Sequence, residues 1–127
     1  MDNIPVLISG MIVGTIIFQT AIVAPSVFTS LSGADSSTFL RKVFPRFFIL
    51  LAVLGGTANV AAIIVGQAVL IAISGATVAL AAIAYVLIPA TNHSRDEGRE
   101  KTFKRLHLAS VVLTLGILAA NLASLAV

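Results

Sequence analysis

The sequence predicts an all-α protein, a bundle of four transmembrane helices, and three observations carry the prediction. Of the 127 residues, 58% are hydrophobic and only 10% are charged, whereas about a quarter of a soluble globular chain is charged. The charge is concentrated in two polar stretches, and the apolar runs around them are long enough to cross a bilayer. We therefore expect a single integral membrane domain, 1–127, with spans at about 5–30, 47–65, 69–88 and 106–126.

The first span begins near the N-terminus and is longer than a bilayer requires. No charged residue lies between Ile4 and Leu31, and a helix of that length would rise about 42 Å across a hydrocarbon core of roughly 30 Å. Pro25 removes a backbone donor and clashes with the preceding turn, so the helix is predicted to bend or end there.

Two faces of this first helix are distinguished by spacing. Gly10 and Gly14 form a GxxxG pair, which lets another helix approach closely, either one of this chain or one of a second copy. Packing within the chain is the simpler interpretation. Thr15, Gln19 and Ser26 are predicted to share the opposite face and to point into the bundle.

Residues 32–46 are predicted to form a cytoplasmic loop with a short interfacial helical turn capped by Asp35 or Ser36. Pro45 suits the first turn of the next span.

The following 44 residues, from Phe47 to Ala90, carry no charge, which fits two antiparallel spans joined by a turn at Gly66 and Gln67. Asn59 should face protein, because an unpaired amide is costly in lipid. Pro89 is predicted to close the third helix.

The last helix is predicted to begin in the second polar stretch, 90–105, and to extend into the cytoplasm. Ser94 and Glu97 have the spacing of a capping box, from which a helix could run to about Ala126. Its polar residues fall within an arc of roughly 100° and should point into the bundle. These residues are His107, Ser110, Thr114, Asn121 and Ser124.

Orientation follows from the eight basic residues, all of which lie in the two polar stretches. The positive-inside rule then places both stretches in the cytoplasm and both termini on the other side, as for a multi-pass protein of the cell inner membrane. The lipid bilayer is thus one partner. No dense basic helix with interleaved aromatics is present, so nucleic acid is not an expected partner.

The sequence offers little for catalysis, and a non-enzymatic role is favoured. There are no cysteines, hence no thiolate chemistry, and no convergent set of nucleophile, base and acid. His93 and His107 would lie about 21 Å apart on one helix, too far to share a metal. His107 alone is a candidate axial ligand of haem b; the simpler alternative is a histidine hydrogen-bonded to Asp96, Glu100 or a loop carbonyl.

The remaining polar residues form a set of site candidates. Inward polar residues leave a small-molecule or ion carrier as a further alternative, although no buried charge is present to drive one. The candidates in the bundle and in the second polar stretch are Gln19, Asn59, Asn92, Arg95, Asp96 and His107.

Two stretches carry a family resemblance. The first is Gly14 to Phe48, with Ala24-Pro25 and the run Val43-Phe44-Pro45-Arg46-Phe47-Phe48, and the second is Asn92 to Ser110, with Arg95, Asp96, Gly98, Phe103, Leu106 and His107. In these features the chain resembles the transmembrane protein 205-like family of integral membrane domains of unknown function. The resemblance implies a four-helix membrane bundle, distantly similar in layout to copper-resistance and haem-linked membrane domains, and it implies no activity.

Taken together, these features predict a small polytopic membrane protein that serves as a non-catalytic accessory or assembly subunit of a larger complex. Its partners would be other membrane subunits or a second copy of itself, docking through the glycine faces and the charged helix. No cofactor is expected in this role. The alternatives are a haem- or metal-handling redox protein that uses His107, and a carrier.

Overall fold

The computed structural model describes residues 3–126, which form one helical bundle. The helices are α1 (Ile4–Phe18), a π-helix (Gln19–Val23), α2 (Ala24–Ser30), α3 (Gly33–Val65), α4 (Ala68–Asp96) and α5 (Glu100–Leu125). The first three run on as one unit, Ile4–Ser30, so four helical units are long and apolar enough to cross a membrane. The predicted all-α class and four-helix bundle are confirmed at this level.

The four units surround a common apolar core. α1 packs against α3 and α5, and α4 packs against the same two helices, so α3 and α5 occupy opposite corners of the bundle. Buried side chains from all four units meet in one cluster that includes Ile12, Phe48, Leu51, Ala84 and Ile117. The small alanines of α4 let its backbone approach the larger residues of α1 and α3.

The expected defect at Pro25 is absorbed by a change of helix type. The π-helix Gln19–Val23 lies immediately before α2, and Pro25 falls in the first turn of α2. A π-turn inserts one extra residue and is a common way for a helix to accommodate a local mismatch. Thr29 lies one turn after Pro25, and its hydroxyl donates a hydrogen bond to the carbonyl of Pro25 at 3.0 Å.

The first polar stretch was predicted to be a loop, and this is wrong. α3 begins at Gly33, and the hydroxyl of Ser32, in place of the predicted Asp35 or Ser36, caps it by accepting from the amide of Asp35 at 3.2 Å. The helix then continues through Pro45 to Val65. A proline removes only one backbone hydrogen bond, and a long helix packed on its neighbours tolerates that loss.

The second polar stretch is also largely helical. α4 continues past Pro89 to Asp96, and α5 begins at Glu100. The predicted capping box is therefore wrong, because the hydroxyl of Ser94 donates to the carbonyl of Ala90 inside α4. The predicted helix start is instead the end of α4, followed by Gly98 at φ 71°.

Two glycines end helices by adopting the left-handed conformation. At Gly98, the amide of Arg99 donates to the carbonyl of Ser94 at 2.9 Å, and the amide of Gly98 donates to the carbonyl of Arg95 at 3.2 Å. This is the Schellman pattern. The turn predicted at Gly66 and Gln67 is present and has the same form, with Gly66 at φ 80°.

The glycine pair of α1 does not pack within the chain, contrary to the simpler interpretation. A Cβ added at Gly10 or Gly14 would meet no atom within 4 Å, and both lie on the outward face of α1 beside exposed Leu7 and Phe18. The buried face carries Ile12 and its neighbours one turn away. The pair is thus open to lipid or to another membrane helix.

Candidate functional site

A bidentate ion pair joins α3 to α4 at the charged end of the bundle, by which we mean residues 33–46 and 92–107. Nη1 of Arg41 donates to Oδ2 of Asp96 at 3.1 Å, and Nη2 donates to Oδ1 at 2.5 Å. The hydrogen bond from Arg41 lowers the pKa of the Asp96 carboxyl below its usual value, and its positive charge adds to that effect. Both side chains are partly exposed, so water screens their attraction.

The turn between α4 and α5 is also held by polar contacts. Oε1 of Glu97 contacts Nε2 of His93, and its other oxygen lies 3.2 Å from Nε of Arg99. The guanidinium of Arg95 lies over the ring of Phe103, 5.3 Å from the centroid, which is cation–π geometry.

His107 does not point into the bundle as predicted. Its ring is exposed and stacks on Phe103, with centroids 5.8 Å apart and planes 13° apart. Within residues 3–126 it makes no hydrogen bond, so the expected bond to Asp96, Glu100 or a loop carbonyl is absent. The helical spacing placed His107 correctly in line with buried Asn121, but His107 is exposed whereas Asn121 is covered.

Two asparagines bridge helices inside the bundle. Nδ2 of Asn59 in α3 donates to the carbonyl of Ile71 at 3.0 Å and to the hydroxyl of Ser74 at 3.1 Å, both in α4. Nδ2 of Asn121 in α5 donates to the hydroxyl of Thr77 in α4 at 2.8 Å. The prediction that both residues face protein is confirmed, and each amide is paired.

Gln19 differs from the asparagines. It is buried in the π-helix, and its Nε2 has no hydrogen-bond partner among the described residues. The other residues of its predicted face separate, since Ser26 is exposed and Thr15 is half-buried. The change of helical period at residue 19 explains the position of Ser26, because a π-turn shifts every later residue around the axis.

The structure therefore divides the predicted site residues into two groups. Arg95, Asp96 and His107 lie at the charged end together with half-buried Asn92, whereas Gln19 and Asn59 lie within the bundle. Sequence reasoning missed Phe103, Ser74 and Thr77 as contact residues; the spacing of Ser74 and Thr77 on one face of α4 was the available signal. No group of three or more His, Asp or Glu residues is placed to hold a metal in the part of the chain described here.

These features define a class, the small polytopic membrane proteins with a hydrophobic helical bundle and one charged end. A family model described as Domain of unknown function (DUF4149) matches residues 7–100, and the chain belongs to that family. The match begins at Leu7, within α1, and ends at Glu100, the first residue of α5. No match was found among curated proteins or among solved structures.

Proposed function

We propose that the protein is a non-catalytic accessory or assembly subunit that docks to another membrane protein through the outward face of α1. The supporting observation is that Gly10 and Gly14 lie on a face that no other part of the described chain covers. Small residues at this spacing let two helix backbones approach closely, which is a main source of attraction between helices in lipid. The partner is another subunit or a second copy of this chain.

Crosslinking in native membranes, followed by purification in mild detergent, tests the docking proposal. The wild type should be recovered in a larger species whose mass identifies the partner. Gly10→Ile with Gly14→Ile should abolish that species, because the added side chains separate the helices. Ala119→Leu, which enlarges an exposed residue of α5, is the matched control. A partner-free monomer at native expression would refute the proposal.

We further propose that the charged end faces the cytoplasm and that both termini face the opposite side of the cell inner membrane. The support is the placement of all eight basic residues at one end of the bundle together with the positive-inside rule.

The resemblance to the transmembrane protein 205-like family remains a prediction. It rests on the residues of the two stretches named above, Gly14 to Phe48 and Asn92 to Ser110.

Haem b binding by His107 is the second candidate. It is supported by an exposed imidazole that makes no hydrogen bond within residues 3–126 and is held by stacking on Phe103. A haem-binding protein should show a Soret band that His107→Ala removes and His93→Ala, an equivalent change at the other histidine, leaves. A colourless protein purified from haem-replete cells would exclude this candidate.

The carrier alternative rests on Gln19, whose buried and unpartnered amide is the kind of group that a polar solute could contact. Asn59 and Asn121 offer less support, since their amide donors are paired between helices. A solute flux into proteoliposomes that Gln19→Leu abolishes would establish it.

A further inference from the structure

A cavity of about 230 Å³ lies at the charged end, between α2, the first turns of α3 and the end of α4. One side of its wall is apolar and consists of Phe28, Leu31 and Leu40. The rest of the wall is formed by Gly33 and by three polar residues, Ser36, Ser37 and Arg95. The cavity therefore combines an apolar wall with hydrogen-bond donors and a positive charge.

Within residues 3–126, no acidic side chain forms a salt bridge with the cation at this cavity. Asp96 is engaged by Arg41, and Glu97 by His93 and Arg99. In the described part of the chain no salt bridge reaches Arg95, whose guanidinium is held by the ring of Phe103. A ring fixes the position of a cation but supplies no counterion.

The polar wall offers further donors and no acid. The hydroxyl of Ser36 is occupied, donating to the carbonyls of Val27 and Leu31, whereas that of Ser37 makes no hydrogen bond among the described residues. Asp35 is exposed on the same turn but does not line the cavity. An anionic oxygen here would meet a cation and a hydroxyl without an opposing carboxylate.

The position of the cavity indicates the type of anion. Phe28 and Leu31 are 64% and 40% exposed, and they lie where the apolar first span ends and the charged residues begin. This is the level of lipid headgroups, where acyl chains and phosphates meet. The charged end, residues 33–46 and 92–107, holds eight basic residues and four acidic ones. This excess of positive charge favours anionic lipids over zwitterionic ones.

We propose that this cavity binds an anionic phospholipid. Its phosphate pairs with Arg95 and accepts from Ser37, and the upper part of an acyl chain covers Phe28 and Leu31. The site is separate from the outward face of α1, so it stands or falls independently of the docking proposal.

Lipid retention by the purified protein tests this assignment. The protein is exchanged into detergent with equal amounts of phosphatidylglycerol and phosphatidylcholine, and bound lipid is counted by native mass spectrometry. The wild type should retain one phosphatidylglycerol preferentially. Arg95→Gln should weaken that retention about tenfold, the effect of losing one charged hydrogen bond. Arg105→Gln, at an exposed arginine outside the cavity, should leave it within about twofold.

A second pair of variants keeps the positive charge of Arg95 and changes the volume of the cavity. Ser37→Leu fills the cavity and should also abolish retention, whereas Thr38→Leu places the same side chain on the neighbouring exposed position and should not. Circular dichroism and elution volume identify any variant that misfolds. If Ser37→Leu misfolds, the comparison of Arg95→Gln with Arg105→Gln tests the proposal by itself. Equal losses in Arg95→Gln and Arg105→Gln would overturn the proposal in favour of general charge attraction.

Free phosphate is the remaining competitor for the site. Inorganic phosphate added to delipidated protein should not raise its melting temperature, because it cannot cover the apolar wall, whereas phosphatidylglycerol should raise it. An equal rise with both would overturn the assignment to a lipid.

Discussion

Three side-chain amides in this bundle, those of Asn59, Asn121 and Gln19, differ in their hydrogen bonding although their chemistry is similar. Asn59 and Asn121 each donate a hydrogen bond to a hydroxyl of α4, at Ser74 and Thr77. Gln19 has a comparable amide, yet its Nε2 is buried without a partner within residues 3–126. Leaving a buried donor unpaired costs about 1–3 kcal/mol, so the amide of Gln19 should lower the stability of the bundle, as should the hydroxyl of Ser124, which is also buried without a partner among the described residues.

Gly55 is the glycine at which α3 packs most closely on α4. An added Cβ would lie 2.9 Å from Cγ2 of Thr77 and 3.2 Å from Cγ2 of Val78. Gly55→Ala is therefore expected to destabilise the bundle by about 1–3 kcal/mol through overpacking. The measurement is the melting temperature in mild detergent, followed by circular dichroism.

The neighbouring glycine is a matched control for that substitution. A Cβ at Gly56 would meet no atom within 4 Å, so Gly56→Ala should be neutral or stabilising by up to about 1 kcal/mol through helix propensity. Equal destabilisation by both alanines would show that the close approach at Gly55 does not limit packing.

At the level of the elements, α3 and α4 extend beyond the apolar segments, and a salt bridge connects their extensions. α3 and α4 both carry their helical structure into the polar stretches, and the pair between Arg41 and Asp96 connects the two extensions. The contact lies between residues 55 positions apart in the chain, so no local spacing rule could indicate it.

Removing this ion pair should lower stability by a small amount. Asp96→Asn and Arg41→Gln should each lower the melting temperature by at most about 4 °C, since exposed pairs contribute little. Lys42→Gln, at an adjacent exposed cation with no salt bridge among the described residues, is the control and should change it less. A larger effect at Lys42 would contradict the assignment.

The same pair predicts a pH dependence. The pKa of Asp96 is lowered in the folded protein, so its contribution is complete above the unfolded pKa near 3.9 and is lost as the pH falls through the lower folded pKa. The difference in melting temperature between the wild type and Asp96→Asn should therefore disappear at the acid end of a titration from about pH 7 to about pH 2. A difference that persists unchanged would rule out the charged pair as its source.

For the whole molecule, the arrangement of charge predicts the orientation in the membrane. The connections near residues 32 and 98 lie at one end of the antiparallel bundle, and the turn at Gly66 lies at the other. All basic residues belong to the first end. The charged end should therefore be cytoplasmic and the turn at Gly66 should lie outside.

The absence of cysteine makes this orientation directly measurable. Single variants Thr38→Cys, Ala68→Cys and Thr102→Cys place a thiol at exposed positions of the two ends. In right-side-out vesicles a membrane-impermeant maleimide should label only Ala68→Cys, and in inside-out vesicles only the other two. The opposite labelling would reverse the proposed topology.

The sequence by itself determined the class, the four apolar helices and some of the polar residues that face protein, because hydrophobic length and the desolvation of polar groups act locally along the chain. It placed Asn59 and Asn121 correctly for that reason. It misjudged the polar stretches, because Pro45 was interpreted as beginning a helix and Pro89 as ending one, whereas α3 and α4 continue through these positions.

Only the tertiary structure decided which polar groups meet. The pairing of Arg41 with Asp96, the contact of Arg95 with Phe103, and the cavity beside Arg95 all join separate helices. Such contacts depend on how the helices are placed relative to one another. The exposure of Gly10 and Gly14 was decided in the same way, since a GxxxG spacing specifies a close approach but not the helix that makes it.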